Sequence, residues 1–176
     1  MASLSDAQTR LGPTALIVDA VAHAYGQILF SRSRLVGGLL MAATLLAPRA
    51  GIAGLLAILV ATLAALLLRF DRVQVGEGFF GYNALLVALA GSMSFSGAPK
   101  SSALIFAAVL GSVFVTAAMR SALGAAFNLP ALSLPFVGVF YLLGSAAPAL
   151  GVKLVSAPSS SWLLVALPRS LTLYLE

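Results

Sequence analysis

The chain reads as an all-α membrane protein, and three observations predict that class. Of its 176 residues 61% are hydrophobic and only 9% are charged, against about 25% in an ordinary soluble domain. Mean hydropathy is +1.07, so there is too little polar surface to coat a globule. The apolar residues also fall into long blocks separated by Arg, Lys, Pro and Gly, at roughly 14–30, 35–47, 52–68, 79–95, 102–127 and 129–147. A membrane helix needs about 20 apolar residues, with about 17 to 25 tolerated.

Residues 1–13 form a polar N-terminal segment carrying Asp6, Gln8 and Arg10, without the basic stretch, apolar core and small-residue cleavage site of a secretory signal. The first block is therefore expected to stay in the protein. The second is short, bounded by Arg34 and by Pro48-Arg49, whose long side chains can snorkel. The third, fourth and fifth meet the spanning length. Gly37, Gly38, Gly51, Gly54, Ala57 and Ala61 line the second and third, and small residues of this kind let helices in lipid approach closely. Loops are short except at 69–78 and 148–160. The latter, rich in Ser, Pro and Ala, is the expected linker, and 161–176 reads as the start of a following helix that is cut short.

Ten Lys or Arg against five Asp or Glu give a net charge of +5. The basic residues are scattered rather than clustered among aromatics, which suits loops flanking membrane helices and excludes a nucleic-acid surface. If the blocks alternate across the membrane, Arg32, Arg34, Arg69, Arg72, Arg120 and Arg169 lie on one side and Arg10, Arg49, Lys100 and Lys153 on the other. That bias is too slight to orient the chain.

Catalytic chemistry has little to work with. There is no cysteine, one histidine, no GxSxG elbow, no GxGxxG or P-loop and no set of metal ligands, so neither an enzyme nor a bound metal or cofactor is expected. The polar residues inside the blocks carry more information. Asp19, His23 and Gln27 recur at four-residue spacing and make one stripe on a helix, with Phe30 near its end. Polar side chains at membrane depth ordinarily face an interior or a cavity. An interfacial helix wetted on its polar face is the bland alternative for Asp19 and His23. A proton relay through them is a further alternative, although no other intramembrane acid or base continues it; Glu77 lies in a loop with Arg72.

GEGFFGYNALL, residues 76–86, sets glycines beside Phe79, Phe80, Tyr82 and Asn83. An aromatic belt at the membrane surface would explain the rings, but an amide entering a helix in lipid needs partners. NLPALSLPF, residues 128–136, interrupts an apolar run with Pro130 and Pro135 and leaves Ser133 between them. Irregular backbone at that depth is tolerated where it is buried in protein or lines a cavity.

Three of these stretches together resemble the urea transporter family. LPALSLPF is similar to its LPxxTxPF signature, YGQILF to its GQVFF stretch, and GFFGYNALLVAL to its G-L-Y-G-Y-N-x-x-L-V-G stretch, in the same order and across nearly all of residues 20–147. The resemblance implies a passive urea channel in a multi-pass protein of the cell (inner) membrane. Its fold would have about five transmembrane helices plus a half-spanning pore helix, as one of two inverted repeats, in a homotrimer of complete channels. Residues 14–147 correspond to the first half; the second homologous half would come from the same longer chain or from an antiparallel copy. Residues 69–86 are the candidate for the half-spanning helix. By motif position Gln27 would supply an amide oxygen, Phe30 a slot wall, Tyr82 and Leu86 flanking contacts and Ser133 a mid-pore hydroxyl. Asn83, Pro130, Pro135 and Phe136 would shape the motif. Ser133 departs from the usual threonine. The competing classes are a proton- or ion-coupled transporter using Asp19 and His23, and a membrane scaffold that transports nothing.

Overall fold

The computed structural model describes residues 12–153 and 155. Each of the six apolar blocks forms one helix of twelve residues or more: α1 (Pro13–Gly26), α2 (Arg34–Leu45), α3 (Pro48–Leu67), α5 (Phe79–Ser94), α6 (Pro99–Phe127) and α7 (Leu134–Ala149). A short α4 (Arg72–Gly76) lies between α3 and α5. No extended sheet occurs among the described residues, so the all-helical class holds.

Local chemistry places the helix ends. α3 and α6 start on Pro48 and Pro99, where a missing N–H is tolerated and the ring pre-sets φ. α1 ends in a single tight turn, Gln27–Leu29, after which Phe30 adopts φ 52°. Ser31 N–H donates to the Gly26 carbonyl and Phe30 N–H to the Gln27 carbonyl, the paired bonds of a left-handed helix cap. The chain then turns, and α2 runs at 83° to α1.

Two expectations need correction. Residues 69–78 are not simply a loop: the Asp71 carboxylate accepts the Val73 N–H and caps α4. The fourth block falls short of spanning length. Its helix stops at Ser94 because Phe95 is extended, and the Phe95 carbonyl accepts a bond of 2.7 Å from Arg49 Nη2 instead of continuing the helix. At 1.5 Å per residue α5 and α7, with 16 residues each, reach about 24 Å. α3 and α6, with 20 and 29 residues, are long and apolar enough to cross a bilayer, and α1 with α2 makes a third, broken span. Residues 69–86, the candidate half-spanning segment, are divided between α4 and the first half of α5.

α5 occupies the centre of the bundle, packed by α1, α3, α6 and α7. Ten of its 16 residues are buried, which is why its apolar residues show no preferred face. Phe80, Ala84, Val87 and Ala88 meet Ala57, Ala61 and Ala65 of α3 and Val109 and Val113 of α6. The small residues work as expected. A Cβ on Gly54 would lie 2.7 Å from the Leu85 side chain, and one on Gly37 would lie 1.8 Å from the Ala22 carbonyl oxygen, so α1 and α2 touch backbone to backbone. Gly78 joins α4 to α5 at φ 76°, a conformation a side chain resists, against the backbone of Ala24.

Beyond α7 the backbone returns to the end of α5. Ser96 N–H donates to the Lys153 carbonyl and Val155 N–H to the Ser94 carbonyl, while Val152 is buried with Phe95, Leu143 and Ala147. Residues 148–149 thus belong to α7. The expected polar segment 1–13 lies almost wholly, and the expected start of a helix at 161–176 lies wholly, outside the described residues.

Candidate functional site

A cavity of about 770 Å³ opens where α1, α5, α6 and the break before α7 converge. Asp19, His23 and Gln27 of α1 line it, as does Phe30 at the bend. α5 contributes Phe79, Tyr82 and Asn83; α6 contributes Thr116 and Arg120; residues 128–132 close another side. The helical stripe seen in the sequence therefore faces the protein interior at this cavity.

Each member of that stripe has a different partner. Asp19, only 4% exposed, accepts a 2.8 Å bond from Arg34 Nη2 across the α1–α2 bend. A buried carboxylate needs such compensation. His23 Nδ1 donates to the Gly76 carbonyl at 2.9 Å, at the end of α4. Gln27 Nε2 donates to the next carbonyl, that of Glu77. With its amine committed there, the Gln27 amide keeps its oxygen as the acceptor for the cavity. The C-terminal end of the short, unforeseen α4, Gly76 and its capping residue Glu77, thus supplies the carbonyls that orient His23 and Gln27. Asp19 and His23 thus have separate partners.

The NLPALSLPF stretch resolves into two devices. Asn128, at φ 50°, ends α6 with its N–H on the Gly124 carbonyl. Leu132, at φ 44°, holds the unusual left-handed conformation for a branched residue. Ser133 is the residue before α7, but its side chain does not cap the helix. Asn83 of α5 takes over part of that role: its Oδ1 accepts the Phe136 N–H at 3.2 Å and its Nδ2 donates to the Leu132 carbonyl at 3.3 Å. Asn83 is 2% exposed, so these are the partners its burial requires. Freed from capping, the Ser133 side chain approaches that of Tyr82 as a polar neighbour.

Of the residues singled out by motif, Gln27, Phe30, Tyr82, Asn83 and Pro130 meet at the cavity. Leu86 and Ser133, both half-buried, do not line it. Pro135 is buried and Phe136 packs on Phe140 with ring centroids 5.7 Å apart, both structural positions. Sequence reasoning passed over Thr116 and Arg120. The Arg120 guanidinium sits 4.0 Å above the Phe79 ring centroid, a cation–π contact. Its signal was available as a charge deep within a 29-residue apolar helix whose other charge, Lys100, sits at its first turn, a pattern that marks function by default.

A bundle of apolar, closely packed helices around an interior cavity of hydrogen-bonding groups defines an integral membrane protein that handles a polar solute. The comparison with protein families makes that specific: the family described as "Urea transporter" matches residues 18–167. The chain belongs to the urea transporter family, which places its function in urea transport across membranes. No curated protein matches the chain.

Proposed function

We propose that this chain forms one half of a passive urea channel, with residues 14–147 as the repeat and 148–160 as the linker toward its second half. That half comes from the same longer chain or an antiparallel copy, and complete channels assemble as homotrimers in the cell (inner) membrane. The observation that carries the reading is the convergence of Gln27, Phe30, Tyr82 and Asn83 on one cavity in a chain of this family.

Urea is neutral, flat and strongly hydrated. Removing water from one of its polar groups without replacement costs about 2–7 kcal/mol. The Gln27 oxygen and the Tyr82–Ser133 pair offer acceptors in succession, each offsetting part of that cost while holding the solute weakly enough to release it. Phe30 supplies a flat apolar wall at the bend, and Leu86 supports Tyr82 from one turn further along α5. The separate engagement of Asp19 by Arg34 and of His23 by Gly76 supports the passive reading over a proton-coupled one.

Proteoliposome flux tests this directly. Saturable urea influx that is indifferent to pH and ion gradients is expected, and Gln27→Ala should slow it about fivefold, the worth of roughly one hydrogen bond, without loss of assembly. Influx that disappears without a proton gradient would refute the passive reading. A complete channel, this chain together with its second half, that folds and moves no small solute would identify a scaffold.

A further inference from the structure

We infer that Arg120 and Thr116 form a donor site for the carbonyl oxygen of the transported solute, a specificity element on the opposite wall from the acceptors; the inference rests on the urea reading above. Thr116 and Arg120 stand one turn apart on α6 and line the same cavity as Gln27, Tyr82 and Asn83. Thr116 is 2% exposed, and its hydroxyl has no hydrogen-bond partner among the described residues. Arg120 Nη1 is likewise buried and unpartnered among them. Buried polar groups left unpaired in a protein otherwise well satisfied call for an explanation, and a ligand is one.

The surroundings narrow the ligand's chemistry. Two carboxylates line the cavity, Asp19 and Glu77, but Asp19 is held by Arg34 and Glu77 makes no ion pair with Arg120. The guanidinium is instead fixed by the Phe79 ring, which orients the cation without using up its N–H donors. An arginine has donors only, so what it recognises must be an acceptor. Urea carries four N–H donors and one carbonyl oxygen. The acceptors on α1 and at the α6–α7 break can satisfy the former, and the buried polar atoms left unpartnered among the described residues, Thr116 Oγ1 and Arg120 Nη1, lie on α6. A neutral carbonyl facing a fixed cation accepts a charge-assisted bond, while a cationic solute meets repulsion at the same place.

Thiourea separates this role from simple packing, because it keeps urea's N–H groups and flatness but replaces the oxygen with a much weaker sulfur acceptor. The assay compares urea and thiourea influx in proteoliposomes of the complete channel, this chain together with its second half, for the parent, Arg120→Met, Arg120→Lys and Thr116→Val. The parent should favour urea. Arg120→Met should lower urea influx about tenfold while leaving thiourea influx nearly unchanged, so the preference collapses by the same factor. Arg120→Lys, which keeps a cationic donor, should fall between. Thr116→Val, nearly isosteric and losing only a hydroxyl that bonds to nothing among the described residues, should reduce the preference about threefold. If both fluxes fall in proportion in Arg120→Met, or if neither variant moves the ratio, Arg120 serves packing and the inference is overturned while the urea reading stands. A complete channel, this chain together with its second half, that shows no urea influx overturns that reading, and this inference with it.

Discussion

Asn83→Leu tests the junction on which the site depends. The substitution keeps the side chain's size and removes both bonds that the buried amide makes, to the Leu132 carbonyl at 3.3 Å and from the Phe136 N–H at 3.2 Å. An unsatisfied buried polar group costs about 1–3 kcal/mol, and both bonds are at the long end of the range, so the lower part applies: about 2–3 kcal/mol for the pair. For a chain of this size that lowers the thermal midpoint by roughly 5–10 °C. A second consequence is local. Leu132 sits in a conformation that costs about 1 kcal/mol or more and persists only when its surroundings enforce it. Without Asn83 the 130–133 backbone relaxes, Ser133 leaves Tyr82, and urea flux falls along with stability. The assay is a thermal melt of purified protein in detergent beside stopped-flow urea influx. Ser92→Ala is the control: it removes a bond that only returns to Leu89 within the same helix, and should shift the midpoint by less than about 2 °C. A parent-like midpoint and flux in Asn83→Leu would refute the assignment of Asn83 as the clamp of the proline break.

Gly37→Ala should destabilise by about 1–3 kcal/mol or prevent folding, because its Cβ meets the Ala22 backbone; the next-door Gly38→Ala meets nothing within 4 Å and should gain up to about 1 kcal/mol in a thermal melt. Arg34→Gln leaves Asp19 buried without its cation. As the arginine is largely exposed, the expected loss is near 1 kcal/mol, recovered when Asp19→Asn is added, and a double-variant cycle in melts measures the coupling. Ser133→Ala should slow urea influx about fivefold while Ser133→Thr, which restores the family's usual residue, keeps it within about twofold; parent-like influx in Ser133→Ala would remove Ser133 from the path.

The six helices, their approximate limits and their apolar environment were legible in the sequence because all three follow from local chemistry: block length, prolines at helix starts and the paucity of charge. The same holds for the Asp19–His23–Gln27 stripe, since four-residue spacing on a helix dictates a shared face. The motif resemblance pointed further, to Gln27, Phe30, Tyr82 and Asn83, which do meet at one cavity. What each polar side chain binds was not legible. His23 and Gln27 are oriented by carbonyls about fifty residues away on a helix of five residues, too short to leave a periodic signal. Asn83 satisfies backbone groups that the prolines exposed on another helix, and only packing brings donor and acceptor together. Arg120 was counted as a loop charge because its value depends on what surrounds it. Sequence alone determined that the Asp19–His23–Gln27 stripe and Asn83 lie within apolar helices, and that the stripe shares one face; tertiary structure decided which polar groups are bonded to one another and which are left unpartnered among the described residues, because hydrogen bonds between helices are set by proximity in space and not by spacing along the chain.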